Sequence, residues 1–348
     1  MKPSIIFLDD DQRFLDGLRR ALNKYKNEWD MTFVTEGEAA FRQLEGRRVH
    51  ILVSDHDMPG MMGDTVMETV RHRWPATVRV MLTGRPLQTV AAALMGVAHR
   101  SFSKPCDVDQ LALYLSRVLA SARAFKTPLV VDLVSGLSMP PLPRSILLAA
   151  REEQLEPGVQ IAAALFQLAT SHLSAESGLG AVDDHSLRLA LDQLRQVARD
   201  RLPQIENPIV LALWQESVEI ARTVQRMAKA AHLSASKQRE LTITGPFSNI
   251  GSIALAEVLP GTYAIDVGTA GTPERWAMEK AAFGASGLEV GAFLLTAWGF
   301  PEGIVDEVRS QGVTIATMGN HPREVRVLAG ARDRSWPELV EIEKQLAV

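Results

Sequence analysis

Five polar residues in the first third of the chain have the types and positions that phosphoryl chemistry requires. Each lies one or two residues beyond the end of a short apolar segment, and they are Asp9, Asp10, Asp55, Thr83 and Lys104. Carboxylates bind a hard divalent cation such as Mg²⁺ through oxygen. A lysine can pair with a carboxylate and then with a phosphoryl oxygen, and a threonine hydroxyl can hydrogen-bond another phosphoryl oxygen. The set predicts a phosphoryl-transfer site in which an aspartate is the nucleophile.

The apolar segments are too short for helices, and they alternate with more polar segments that have helical spacing. They predict strands at Ser4–Leu8, Met31–Val34, Val49–Ser54, Val78–Leu82 and Arg100–Ser103. The alternation predicts an α/β domain with a doubly wound parallel sheet that is covered on both faces. Because function in such a sheet collects beyond the carboxyl ends of the strands, we expect the polar residues to converge there. Carboxylates gathered at one edge repel each other unless a cation offsets their charge, which again favours Mg²⁺.

Four motifs in this region carry a resemblance to a known family. They are Ile5–Asp10, Ser54–Gly60, Leu82–Gly84 and Ser103–Pro105. Through them, residues 3–122 resemble the receiver domain of bacterial response regulators, which implies a flavodoxin-like sheet of five strands. The resemblance also implies a two-component phosphorelay in which a sensor histidine kinase is a partner of the chain.

The receiver resemblance gives each site residue an expected role. Asp55 is implied to be the phosphoacceptor. The implied protein ligands of Mg²⁺ are Asp9, Asp10, Asp55 and the main-chain carbonyl of Asp57. The residues implied to hold the phosphoryl group are Thr83 and Lys104, and the residue that matches the aromatic switch position is Phe102.

Apolar spacing over residues 107–125 predicts a linking helix that completes a first domain at residues 1–125. Pro128 is expected to end this helix. Helical spacing predominates in the second domain, residues 126–348, so this domain is predicted to be mainly α-helical. Its predicted helices are Ile146–Glu153, Val159–Thr170, Ser186–Asp200, Val210–Ala231, Ile250–Val258, Glu274–Phe283, Leu288–Trp298 and Pro301–Val308.

Further motifs give the second domain a resemblance of its own. They are Leu137–Pro143, Leu213–Ser217, Thr244–Gly251 and Phe283–Glu302. Through them, residues 127–312 resemble the HDOD family, helical output domains related to the metal-dependent HD phosphohydrolases.

The metal ligands of an HD enzyme are missing from this domain. Such an enzyme needs converging histidine and aspartate side chains to hold its ion and the activated water. The positions where the family pattern would place ligands carry Glu216, Ser248, Asn249, Ser286 and Gly287. We therefore expect a degenerate domain that has no metal cofactor, is not an enzyme, and acts as an output by binding a downstream protein.

Two other functions for the helical domain remain open at this point. One is a metal-dependent phosphodiesterase for nucleotides or cyclic dinucleotides that has a rearranged metal site and is regulated by the receiver. The other is a nucleotide sensor that binds without hydrolysis. The sequence also leaves open a homodimer, the identity of the kinase and downstream protein, the direction of the output and the role of residues 313–348.

The amino-acid composition limits the classes of partner and the cellular compartment that we expect for this protein. The formal net charge is −4 and the lysines and arginines are scattered, so nothing indicates a nucleic-acid partner. The single cysteine, Cys106, excludes an intrachain disulfide and any CxxC metal site, which suits a reducing cytosol. No stretch reaches the ~18 apolar residues of a membrane span, so we expect a cytoplasmic protein.

Overall fold

The computed structural model describes residues 2–86, 96–125, 128–152, 207–263 and 272–310, six positions between 191 and 199, and Val327. The chain divides into two compact units. The first comprises Met1–Met139 with Thr296–Gly299, and the second comprises Pro140–Leu295 with Phe300–Val348. Compact units need not coincide with domains, so the limits 1–125 and 126–348 stay predictions.

The first unit is built on a parallel sheet of five strands, which confirms the predicted fold class. The strands are β1 (Ser4–Leu8), β2 (Asp30–Val34), β3 (Ile51–Asp55), β4 (Val78–Thr83) and β5 (Arg100–Ser103). Their order in the sheet is β2-β1-β3-β4-β5, so β3 lies at the centre and β5 at an edge. The helices described in this unit are α1 (Gln12–Ala21), α2 (Gly37–Gly46), α3 (Gly63–Arg73), α4 (Val108–Arg123) and α5 (Pro128–Val134), and a 3₁₀ turn follows α1 at Leu22–Tyr25.

The strands form a parallel sheet because their apolar runs can be buried on both faces. Every residue of β1, β3 and β4 is buried, as expected for the inner strands of a doubly wound sheet. On one face, Ile6, Leu52 and Met81 pack against side chains of α2 and α3 such as Phe41 and Val66. Burial of this kind contributes about 25 cal/mol per Å² of apolar surface, so the core fixes the sheet and thereby the positions of the strand ends.

A helix lies where the linking helix was predicted, but Pro128 does not end it. It begins after the N-cap Asp107 and ends at Arg123, where Ala124 and Phe125 donate main-chain hydrogen bonds into a tight last turn. Pro128, which was predicted to end this helix, is instead the first residue of α5. A proline suits that place because the first N–H groups of a helix have no partner within it, so nothing is lost there.

The second unit is mainly helical, as predicted. Its described helices are α6 (Arg144–Arg151), α7 (Pro208–Ala230), α8 (Ala235–Thr244), α9 (Ile250–Val258), α10 (Thr272–Phe283), α11 (Gly287–Ala297) and α12 (Glu302–Ser310), with a 3₁₀ turn at Gly245–Asn249. Helices α5 and α8 were not predicted. The predicted helix Val159–Thr170 lies outside the described residues, and Ser186–Asp200 is described only at scattered positions, all of them helical.

The described part of the chain contains no helix that is both long and apolar enough to span a membrane.

Candidate functional site

An acidic cluster lies where β1 and β3 end. The register of these neighbouring strands places Leu8 opposite Ser54, so the residues that follow them are also neighbours. One carboxylate oxygen each of Asp9, Asp10 and Asp55 lies within 4.8 Å of the others. Asp9 and Asp55 are buried and Asp10 is exposed, so the cluster opens to solvent on one side. The structure thus brings together three residues that the sequence predicted to converge.

Lys104 bridges two of these carboxylates. Its ammonium nitrogen is 2.6 Å from an oxygen of Asp9 and 2.7 Å from an oxygen of Asp55. Lys104 directly follows β5, and its main-chain N–H donates to the carbonyl of Thr83 at 2.7 Å. Burial alone would lower the pKa of Lys104, but the hydrogen bonds to Asp55 and Asp9 raise it above its ordinary value. The lysine therefore stays charged between the two acids.

The cluster keeps a negative charge in spite of this lysine. Three carboxylates against one ammonium group leave two formal negative charges. Burial raises the pKa of Asp9, and the hydrogen bonds from Lys104 and from the main chain of Asp11 only partly offset that effect. A carboxyl group in this environment gains from a further cation, and oxygen ligands at this spacing suit a hard divalent ion.

Thr83 lies on β4, the strand next to that of Asp55, and Phe102 lies on the edge strand β5. Thr83 ends β4 and is fully buried, and its hydroxyl oxygen accepts a hydrogen bond from the main chain of Arg85 at 3.0 Å. Phe102 on β5 is half-buried, with its ring edge-on to that of Tyr114 at 5.5 Å between centroids. Thr83 thus lies at the carboxyl end of its strand, as predicted, and Phe102 is the second-last residue of β5.

The side chain of Asp57 takes part in a separate ion pair. Its carboxylate pairs with the guanidinium of Arg85 and lies 3.1 Å from a ring nitrogen of His56. Burial raises the pKa of Asp57, but the hydrogen bonds from His56 and Arg85 together outweigh that effect and hold the pKa below its ordinary value. Sequence reasoning missed Arg85, although a basic residue two positions after Thr83 was a signal that the loop beside the acidic cluster carries positive charge.

Gly63 fixes the main chain of Asp55. A Cβ atom at this position would lie 2.0 Å from the carbonyl oxygen of Asp55, so only glycine fits. The N–H of Gly63 donates to the carbonyl of His56 at 2.9 Å. The first turn of α3 therefore packs directly on the segment that carries Asp55.

In the second unit, two of the predicted ligand positions converge on an arginine. The guanidinium of Arg275 lies 2.9 Å from a carboxylate oxygen of Glu216 and donates to the amide oxygen of Asn249 at 2.8 Å. Arg275 is fully buried, and Glu216 and Asn249 are buried as well. The amide nitrogen of Asn249 donates to the carbonyl of Leu213 and to the hydroxyl of Ser217. An ion pair thus occupies the place where metal ligands were sought.

The other three positions make local contacts. The hydroxyl of Ser248 donates to the carbonyl of Gly245 at 3.0 Å. Ser286 begins the segment into α11, and its hydroxyl accepts a hydrogen bond from the N–H of Glu289. The N–H of Gly287 donates to the buried carboxyl group of Glu279.

Glu279 was also missed from the sequence. It is fully buried, accepts a hydrogen bond from the hydroxyl of Tyr263 at 2.6 Å, and lies one helical turn after Arg275 on α10. Burial raises its pKa above the ordinary value of a glutamate, although the hydrogen bonds from Ser252, Tyr263 and Gly287 act in the opposite direction. The spacing of Arg275 and Glu279 was the available signal, but the same spacing is common on exposed helix faces.

Family models match both parts of the chain. The response regulator receiver domain matches residues 5–116, and the HDOD domain matches residues 179–312. Each match lies within the region that carries the corresponding resemblance, so the recognition of both domains is confirmed.

Individual relatives match less than half of this chain. The hydrogenase transcriptional regulatory protein HoxA of Cupriavidus necator is 32% identical over 81 residues, which are 23% of this chain and 16% of that protein. Response regulator protein PmrA of Pseudomonas aeruginosa is 29% identical over 157 residues, 44% of this chain and 68% of that protein. A solved receiver domain of an HD domain-containing protein from Pseudomonas fluorescens Pf-5 is 26% identical, covers 36% of this chain and 99% of its own, and has a TM-score of 0.34. The chain thus spans less than a quarter of the HoxA proteins that it matches.

The buried pair of Arg275 and Glu216 predicts a strong energetic coupling. We expect Arg275→Met to lower the free energy of unfolding by about 3–5 kcal/mol, because it removes the guanidinium group that pairs with the buried carboxylate of Glu216. The double variant Arg275→Met/Glu216→Leu should be more stable than Arg275→Met. Urea unfolding followed by tryptophan fluorescence measures both values. Arg222→Met removes the exposed partner of Glu219 on the same helix as Glu216 and should stay near wild type. A double variant no more stable than Arg275→Met would contradict the coupling.

Proposed function

We propose that this chain, a response regulator that joins a receiver domain to an HDOD domain, is phosphorylated on Asp55 by a sensor histidine kinase. The observation that carries this proposal is the position of Asp55 in the acidic cluster. Its carboxylate is 2.7 Å from the ammonium group of Lys104 and lies within 4.8 Å of Asp9 and Asp10. These are the charges that a phosphoryl group needs around its acceptor.

Among the three acids, Asp55 is the best placed acceptor because it ends the central strand. Asp9 and Asp10 approach from β1 on one side, and Thr83 ends β4 on the other. In addition to the contact with Lys104 that it shares with Asp55, Asp9 accepts a hydrogen bond from the main chain of Asp11, which suits a fixed ligand better than a nucleophile. A phosphoryl group on Asp55 would therefore have groups of this chain on both sides.

Each neighbouring group has a defined task in the transfer. An oxygen of Asp55 forms a bond to the phosphorus atom while the bond from phosphorus to the kinase histidine breaks. Lys104, which already contacts Asp55, turns to a phosphoryl oxygen. The hydroxyl oxygen of Thr83 accepts a hydrogen bond from the main chain of Arg85. Its O–H group can donate a hydrogen bond to another phosphoryl oxygen. The negative charge that arrives is thus met by an ammonium group and a hydroxyl group.

The acidic cluster would hold Mg²⁺ as a cofactor of the receiver. Asp9, Asp10 and Asp55 would be its side-chain ligands, and the main-chain carbonyl of Asp57 would complete the protein ligands. The residues fit this ion because they are close together, hold excess negative charge and are partly open to solvent. The ion would supply neutralisation of the charge on the transferring phosphoryl group.

The response is proposed to leave the site through Thr83 and Phe102. When Thr83 is drawn toward the phosphoryl group, β4 and the following loop shift, and Phe102 turns inward from its half-buried position. The helical domain then acts on a downstream protein by binding it, in the cytoplasm. The change is a rearrangement of packed elements between two discrete states.

We further propose that the HDOD domain hydrolyses nothing and binds no metal ion. The carboxylate of Glu216 is already paired with the guanidinium of Arg275. A side chain at Gly287 would have its Cβ atom 2.2 Å from the hydroxyl of Ser252 and 2.8 Å from the carboxyl group of Glu279, so no ligand can be placed there. A metal-dependent phosphodiesterase would need the positions of Glu216 and Gly287 to be available for metal ligands.

Asp55→Asn tests the phosphoacceptor. The full-length variant should take no label from acetyl phosphate in the presence of Mg²⁺, because an amide oxygen is not a nucleophile for this transfer. Asp57→Asn is the matched control and should be labelled, since the Asp57 side chain pairs with Arg85 instead. Labelling of Asp55→Asn at the wild-type level would overturn the proposal.

The Mg²⁺ site is tested by two neighbouring aspartates. Asp9→Asn should weaken Mg²⁺ binding at least about tenfold, or ~1.4 kcal/mol, as measured by calorimetry. Asp11→Asn should bind as the wild type does, because the Asp11 side chain caps α1 by accepting from the N–H groups of Arg13 and Phe14, and asparagine caps equally well. Equal affinities for the two variants would refute the assignment of the ligands.

The inactivity of the HDOD domain is tested on the full-length protein. Metal analysis should find no tightly bound Mn²⁺ or iron, and a screen of nucleotides and cyclic dinucleotides should find no turnover. Stoichiometric Mn²⁺ or iron together with hydrolysis would show that the helical domain is an enzyme and that Arg275 leaves its site.

A further inference from the structure

Two buried basic side chains lie at the amino ends of β4 and β5, away from the acidic cluster. Arg79 is the second residue of β4, four positions before Thr83, and has no exposed surface. His99 directly precedes β5, three positions before Phe102, and is 3% exposed. Each of the two strands that carry a proposed switch residue at one end therefore carries a buried basic residue at the other.

Arg79 holds several main-chain carbonyls together. It donates from Nε to Val97 at 2.6 Å, from Nη1 to Thr77 at 3.0 Å, and from Nη2 to Gly136 at 3.3 Å. Burial lowers the pKa of Arg79 to about 9, so the group is still charged at neutral pH. A buried charge is tolerated only when it is hydrogen-bonded, which explains why the guanidinium collects carbonyl groups.

His99 makes a parallel connection. Its Nδ1 accepts a hydrogen bond from the N–H of Arg79 at 3.0 Å, so the ring proton lies on Nε2, which donates to the carbonyl of Ser135 at 2.9 Å. Burial holds the pKa of His99 well below its ordinary value, and the ring is neutral. Two consecutive carbonyls, those of Ser135 and Gly136, are thus held by the amino ends of two neighbouring strands.

The segment that these residues hold is the last part of the first unit. We name residues 128–139, which comprise α5 and the turn after it, the connector. The second unit begins at Pro140. In the part of the chain that the structure describes, β5 is an edge strand whose one partner is β4, so it can shift against β4 with little cost to the rest of the sheet. Such a shift changes the spacing of Arg79 and His99 and hence their bonds to the connector.

The lengths of the hydrogen bonds show how Arg79 is shared between the strands and the connector. The bonds of Arg79 to Val97 and Thr77 are short, so the guanidinium follows β4 and the loop before β5. The bonds to Gly136 and to Pro75 are longer, at 3.3 and 3.4 Å, and are therefore weaker. Thr83 and Arg79 are about 13 Å apart along an extended strand, a distance that the hydrogen-bonded ladder can transmit as a rigid body.

We propose that Arg79 and His99 are positioning residues that couple the phosphorylation state of Asp55 to the connector, by releasing the carbonyls of Ser135 and Gly136 when β4 and β5 shift. The inference rests on the proposed function of Asp55. It adds a second path out of the receiver, at the amino ends of the strands.

Hydrogen exchange measured by mass spectrometry on the full-length protein tests this coupling. The three amides that report on the connector donate as follows: Ser135 to Val131, Gly136 to Leu133 and Leu137 to Val134. In the wild type, Mg²⁺ with beryllium fluoride as the phosphoryl probe should speed their exchange at least about threefold. Exchange of the peptides that contain Thr83 and Lys104 should change as well.

Two variants and one control make the test specific. Arg79→Gln and His99→Phe should each abolish the probe-dependent difference in the connector while the Thr83 and Lys104 peptides keep theirs. Arg48→Gln removes the ion pair of Arg48 with Asp132 on α5 and should keep the full response. If Arg79→Gln does not fold, the wild type and His99→Phe decide the matter.

The outcomes separate this inference from the proposed function. Connector exchange that is unchanged by the probe in the wild type, while the Thr83 peptide responds, overturns the coupling alone. The coupling is also overturned if the probe still changes hydrogen exchange in the connector of both Arg79→Gln and His99→Phe. Absence of any response at Thr83 and Lys104 overturns the function proposed for Asp55, and the coupling with it.

Discussion

The bridge from Lys104 to Asp9 and Asp55 is the interaction on which the first unit depends for its chemistry. It joins the carboxyl ends of three strands, β1, β3 and β5, which are far apart in the sequence but end on the same side of the sheet. One ammonium group cannot neutralise three carboxylates, so the edge keeps an affinity for further positive charge. The sheet makes this arrangement stable because its buried strands hold the acids in place.

The second unit also contains buried acidic side chains that need a positive charge, and the cation there is an arginine. There the carboxylate of Glu216 pairs with the guanidinium of Arg275, and burial raises the pKa of Glu279. Asp10 and Lys104 leave the first cluster accessible to solvent, whereas Arg275 has no exposed surface. One half of the protein therefore has an open site that suits an exchangeable ion, and the other has a site closed by a fixed charge.

The acidic cluster was predictable because a parallel sheet gathers strand ends by rule, so Asp9, Asp55 and Lys104 needed only the strand pattern. No such rule locates partners between helices, and the pair of Glu216 and Arg275 joins residues far apart in the sequence. Pro128 was misjudged because a proline marks a helix boundary without saying on which side the helix lies. The role of Arg79 could not be predicted from the sequence, because its partners are main-chain carbonyls and the spacing of side-chain types does not reveal them.

The central claim is that the charges around Asp55 make this one carboxylate the phosphoryl acceptor. Reduction of the phosphorylated full-length protein with borohydride converts an aspartyl phosphate to homoserine, and mass spectrometry of its peptides then locates the modified residue. The account predicts homoserine at position 55 alone. Modification at Asp10 or Asp57, with Asp55 unmodified, would contradict it.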